Sequence, residues 1–243
     1  MMGLCFTKLF ISMSALICIV VPAVIAAIMV KKYKASWKAF LVGAIVFTVS
    51  QPLLRIPLLK QLENSTDFIL FTYSMPVLYF IVLGFSAGVF EETGRYLGLR
   101  FFLKDKLSWE NGVVFGLGHG GAEAILIVGV NYLQLLFGLM TGQSVDQVAN
   151  IPSYLFLAGG LERILVVTAH VGMTMLVLYA VKYEKKIYFL YALLFHTLID
   201  ITIPIMRQAG VHLNVWGSEG CIAVFALFAY LITVKFKAVL ERS

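Results

Sequence analysis

Apolar segments long enough to cross a lipid bilayer recur along almost the whole of this chain. They lie near residues 9–30, 37–59, 67–103, 110–139, 151–181, 187–206 and 215–236. About 20 apolar residues in a helix span the hydrocarbon core. A spanning segment must satisfy its backbone hydrogen bonds internally, so runs of this length fold as helices. The sequence therefore predicts an all-α, polytopic integral membrane helix bundle. Composition agrees: 60% of the 243 residues are hydrophobic, 13% are charged and mean hydropathy is +0.92. Soluble domains are roughly half apolar and a quarter charged.

No stretch between the segments is long enough for a soluble fold, so residues 1–243 read as a single transmembrane domain. The formal charge of +6 does not point to nucleic acid, because the basic residues sit in short loops between apolar spans. Lipid is the expected surrounding partner. Cys5, Cys18 and Cys221 are odd in number and lack metal-type spacing, which reads as packing rather than a disulfide framework. The first segment exceeds a signal-peptide core in length and ends in Lys31-Lys32-Tyr33-Lys34, the flank of a retained helix.

Loop charge sets the span count and orientation. Lys31 to Lys38, Arg100 to Lys106, Lys182 to Lys186 and Lys235 to Arg242 fall on one side if residues 67–103 cross once. The other side holds little beyond Lys8, Lys60 and Arg207. The positive-inside rule then gives seven helices in the cell membrane, with the N-terminus outside and the C-terminus cytoplasmic. An eight-helix alternative splits 67–103. A single helix there must tilt or break, with Pro76 and Gly84 as candidate sites.

Against this background the ionisable residues inside the spans are costly. Glu91, Glu92 and Arg95 lie in the third segment, and His119 and Glu123 in the fourth. Glu162, Arg163 and His170 lie in the fifth, and His196 and Asp200 in the sixth. Seven full charges at about 2.5–3.5 kcal/mol each would cost roughly 20 kcal/mol if unpaired. They must therefore face one another, a metal or a water-filled cavity. Counted at about 1.5 Å per residue from the basic-loop ends, Glu91 and His170 lie about 18 Å deep, and His119 and His196 about 15 Å. Four helices thus place a Glu or His at one level, as in sites built in bundle cores.

Spacing refines this layer. Glu91/Arg95, His119/Glu123 and His196/Asp200 are i,i+4 pairs that share a face. Gly116, Gly118, Gly120 and Gly121 around His119 allow close helix approach. Glu123 is open between metal ligand, supporting carboxylate and partner for Arg163. Glu162 and Arg163 read as a separate outer pair. The donor set suits metal-assisted hydrolysis: zinc takes His nitrogen and carboxylate oxygen and keeps a position open for water.

The motifs Phe90-Glu91-Glu92-Thr93-Gly94-Arg95, Phe115-Gly116-Leu117-Gly118-His119-Gly120-Gly121-Ala122-Glu123 and His196-Thr197-Leu198-Ile199-Asp200 resemble those of the YhfC family of intramembrane metalloproteases. The resemblance covers nearly the whole chain. More distantly the chain is similar to the CAAX protease and bacteriocin-processing superfamily, with one departure: two residues, not three, separate Glu92 from Arg95. The resemblance implies catalytic roles for Glu91 as water-activating base, Glu92 as its companion, Arg95 as charge partner and Asp200 in support. It implies a metal, or a water-orienting role, at His119 and His196.

The expectation is thus an intramembrane, metal-dependent endopeptidase. His119, His170, His196 and Glu123 are its metal candidates and zinc its divalent ion. Its substrate is a membrane-associated or hydrophobic peptide cleaved near the cytoplasmic side. One alternative is a serine protease using Gly84-Phe85-Ser86-Ala87-Gly88, although that motif needs a strand-to-helix turn. Another is a non-catalytic membrane protein: a transporter, immunity factor or partner-binding scaffold built on the same polar cluster.

Overall fold

The computed structural model describes residues 2–240 and is helical, with no strand among them. Arg242, counted above with the basic flank, lies outside the described residues. Seven helices have the length and hydropathy to cross a membrane. They are α1 (Met2–Tyr33), α2 (Trp37–Leu62), α3 (Pro76–Phe102), α4 (Trp109–Thr141), α5 (Ser153–Lys182), α6 (Ile187–Gln208) and α7 (Val215–Leu240).

The long third segment breaks where proline predicts. Residues Thr66–Ser74 form a separate short helix, and Met75 leaves the helical region at φ −134°, ψ 59°. Proline disfavours a helical conformation in the residue before it and starts a new helix well. Pro76 does both, so α3 begins there. Gly84, the other candidate, does not break the helix. A side chain there would run into Ile201 and Asp200, so its role is to let α6 close on α3.

α5 is the central helix. It is 72% buried across its most apolar window, against 22–33% for every other span. It packs against α1, α4, α6 and α7. α4 crosses both α2 and α5 through its glycines. A Cβ on Gly116 would meet the Val171 backbone of α5, and one on Gly118 would collide with the Phe40 carbonyl of α2. Gly43 of α2 meets the Phe115 carbonyl in the same way. The small-residue run thus sets backbone contact distance on two sides of His119.

Three spans contain π-helical stretches: Val49–Arg55 in α2, Gly98–Phe102 in α3 and Ala124–Gly129 in α4. The first holds Pro52, which lacks the N–H for a regular turn. The main apolar core, including Leu99, Leu103, Val113, Phe115, Leu178 and Phe236, fills the half of the bundle next to the basic loops. A smaller cluster of Ile11, Leu139, Val148 and Phe156 lies at the opposite end.

Candidate metal centre

The bundle brings together side chains from five helices at mid-depth. Glu91 of α3 and His119 of α4 meet at 2.9 Å between Oε2 and Nε2. The His119 ring lies 4.9 Å from that of His170 on α5, and the His170 ring 5.7 Å from that of His196 on α6. The four residues expected at one level therefore do converge. Glu91, His119 and His170, all buried, offer ligand atoms within 4.8 Å of one another.

Each member is fixed by a partner whose chemistry leaves little choice. Arg95 donates from Nη1 to the His170 carbonyl at 2.8 Å and to Thr174 Oγ1 at 3.0 Å. Its Nη2 lies 3.1 Å from His170 Nδ1. A guanidinium only donates, so Nδ1 is the acceptor and the ring proton sits on Nε2. That Nε2 donates to Glu123 Oε2 at 2.5 Å. His196 is turned the other way. Its Nδ1 faces Glu92 Oε1 at 2.8 Å, while its Nε2 lies 3.8 Å from both Glu91 Oε1 and Asp200 Oδ2. A carboxylate at Nδ1 keeps a proton on that nitrogen.

Arg95 pairs with Glu92, at 3.3 Å, rather than with Glu91 one turn away. Glu91 is held instead by Gln51 of α2, which had not been counted among the polar residues. Gln51 Nε2 donates to Glu91 Oε1 at 2.5 Å. The amide orientation follows from its other end, where Arg55 Nη1 donates to Gln51 Oε1 at 3.0 Å. The signal was present in the sequence, as two polar residues four apart beside Pro52 within an apolar span.

Glu162 and Arg163 are not a separate outer pair. Arg163 bonds Glu162 and also donates to Glu123 at 3.0 Å, and Glu123 in turn holds His170. Depth alone separated them from the layer. Glu123, one turn beyond His119, bridges the gap sideways. Ser86 makes no Ser–His pair among the described residues: its hydroxyl donates to the Leu83 carbonyl and accepts from Arg55 Nε.

These residues fit a divalent cation. Four carboxylates (Glu91, Glu123, Glu162, Asp200) and two guanidinium groups (Arg55, Arg163) line one cavity, and Glu92 and Arg95 form a buried pair next to them in sequence. With neutral imidazoles two negative charges remain, and uncompensated charge at this depth is expensive. His119 Nδ1 is buried without a hydrogen-bond partner, which is a cost to the fold. Two imidazoles and a carboxylate are a familiar catalytic zinc set.

Comparison with known proteins supports the same direction. A family described as "YhfC intramembrane metalloprotease" matches residues 17–222, which include every residue discussed in this site. The "Uncharacterized membrane protein YhfC" of Bacillus subtilis (strain 168) is 32% identical over 251 residues, covering 96% of this chain and 97% of that protein. No solved structure matches the chain.

Proposed function

The chain belongs to the YhfC intramembrane metalloprotease family, and from that premise we propose that it is a metal-dependent peptide hydrolase acting within the membrane. The carrying observation is the buried Glu91, His119 and His170 group beside a cavity of about 400 Å³. In this reading those three hold the ion, zinc being the best match to the donors. When bound, the ion acidifies water and offers positive charge to a developing oxyanion.

The protein's own groups divide the remaining work. His170 must lose its Nε2 proton to become a ligand, and Glu123 is the base in contact with it. Glu91 would have been the base by resemblance alone. Each of its oxygens accepts one hydrogen bond, from Gln51 and His119, which fixes it in place and leaves a lone pair for a ligand role, while His196 Nε2, with no hydrogen bond of its own, takes the base role. His196 Nε2 accepts a proton from the attacking water as its oxygen bonds to the scissile carbonyl carbon. Glu92 steadies the resulting imidazolium through Nδ1–H, and Arg95 keeps Glu92 ionised and in place. His196 then returns the proton to the leaving amine nitrogen as the C–N bond breaks. Asp200 serves as a second acceptor for the water, because an ionised carboxylate has no proton to give an oxyanion.

Metal content of purified protein tests this. Wild type should carry one zinc, His119→Ala and His170→Ala should carry none, and His196→Ala should keep zinc but lose hydrolysis. Metal-free wild type would sink the proposal. A second reading, a non-catalytic scaffold, draws on the near-complete internal pairing of Glu91, Glu92 and Glu123. It predicts that chelators leave both the stability and the function of the protein unchanged.

A further inference from the structure

The cavity at the site has a direction. Along every helix that lines it, the lining residues run from the level of the histidines towards the end of the bundle away from the basic loops. On α2 they run from Phe47 to Ile56, on α4 from Glu123 to Ile127, and on α6 from His196 to Pro204. On α5, which runs the opposite way, they extend back from Met173 to Glu162. Towards the basic loops this cavity is closed: Leu99, Phe115 and Leu178 are packed there as core and none lines it. A separate cavity of about 350 Å³, lined by Ile17, Trp109, Val113 and Tyr230 among others, lies on that side and reaches none of the histidines.

We propose that the site is served from the extracytoplasmic half of the membrane, and that its substrate is the apolar stretch of a peptide lying in that half. The side follows from the cavity's direction together with the basic loops, which mark the sealed end as cytoplasmic. It replaces the expectation of cleavage near the cytoplasmic side. The substrate class rests on the hydrolase reading and follows from the walls. Ile56, Ile127, Ile203 and Phe225 form apolar sides. Of the two cations that line it, Arg163 is neutralised by Glu123 and Glu162, and the donors of Arg55 are already engaged by Gln51, Ser86 and the Leu83 carbonyl, so neither is free to select a charged peptide. From His196 to Pro204 the cavity is about 12 Å deep, room for about three or four residues of extended chain.

Full-length protein in membranes tests this by two routes. With Cys5 and Cys221 replaced by Ser, a cysteine is placed at Ile203 or Ile56 inside the cavity, or at Leu193, one turn to the sealed side of His196. A membrane-impermeant maleimide should label Ile203→Cys and Ile56→Cys at least tenfold faster in right-side-out than in inverted vesicles. Leu193→Cys should stay unlabelled in both. An impermeant chelator should likewise strip zinc from right-side-out vesicles only, with metal content measured after purification. Labelling or stripping from the inverted face, or from neither, overturns the proposal. Protein that carries no zinc in any vesicle fails the hydrolase reading instead, and the cysteine rates still decide the side.

Discussion

At the scale of single residues, each imidazole is set by a neighbour able to act in only one way. Arg95 can only donate, so it fixes the tautomer of His170 and at the same time pairs with Glu92. Arg95→Leu would leave Glu92 buried and unpaired. Breaking a buried ion pair costs about 3–5 kcal/mol. Unfolding in detergent should show a loss of that size for Arg95→Leu, and a smaller one when Glu92→Leu is added. Gln51 plays the same part for Glu91. Gln51→Ala should weaken zinc binding about 10–100-fold, the usual effect of removing a group that orients a ligand. Arg55→Met should weaken it less, and should add little to Gln51→Ala because it acts through the amide; competition with a zinc chelator measures all three. Of this network the convergence at one depth was legible from the sequence, but of the three i,i+4 pairs only His196 and Asp200 approach each other, at 3.8 Å, because Arg95 turns to Glu92 and His119 to Glu91. Gln51 and Arg55 are also four apart, but a neutral amide raises no alarm in a hydropathy profile.

At the scale of elements, the site depends on how closely α4 approaches α2 and α5. The glycines around His119 predict close contact, and the packing shows where it occurs: Gly118 on Phe40, Gly116 on Val171 and Gly120 on Val167 and His170. A methyl group at Gly118 has no flexible side chain to displace, only the backbone carbonyl of Phe40. Overpacking of this kind costs about 1–3 kcal/mol, so Gly118→Ala should lower detergent stability by that amount. Gly220 on α7 has nothing near its Cα, and Gly220→Ala should be neutral or slightly stabilising in the same assay. The break at Met75 was readable from Pro76. The π stretches were not, because a periodicity of 3.6 cannot reveal them, although Pro52 marks the one in α2. One of them carries Gln51 and another begins directly after Glu123, in keeping with the frequent use of π turns at functional sites.

At the scale of the whole molecule, charge acts twice. Around the cavity, with neutral imidazoles, the excess of carboxylates suits a cation. In the loops the lysines and arginines orient the bundle. With Cys5 and Cys221 replaced by Ser, an impermeant thiol reagent on intact cells should label Ser65→Cys, between α2 and α3, and spare Lys185→Cys, between α5 and α6. The reverse pattern would invert the topology and with it the side from which the cavity opens.

Length and apolarity determined the helical, membrane-spanning architecture, because lipid offers the backbone no other partner, and loop charge chose seven spans over eight. The expense of charge in lipid also singled out the residues that had to converge, and helical depth placed four of them in one layer. Tertiary structure alone decided which partner each residue takes: Glu92 rather than Glu91 for Arg95, Glu123 as the bridge to Arg163, and Gln51 as the hold on Glu91. It also decided towards which end of the bundle the cavity at the site runs. Pairing between helices depends on rotation and crossing distance, quantities that a one-dimensional pattern of depth does not contain.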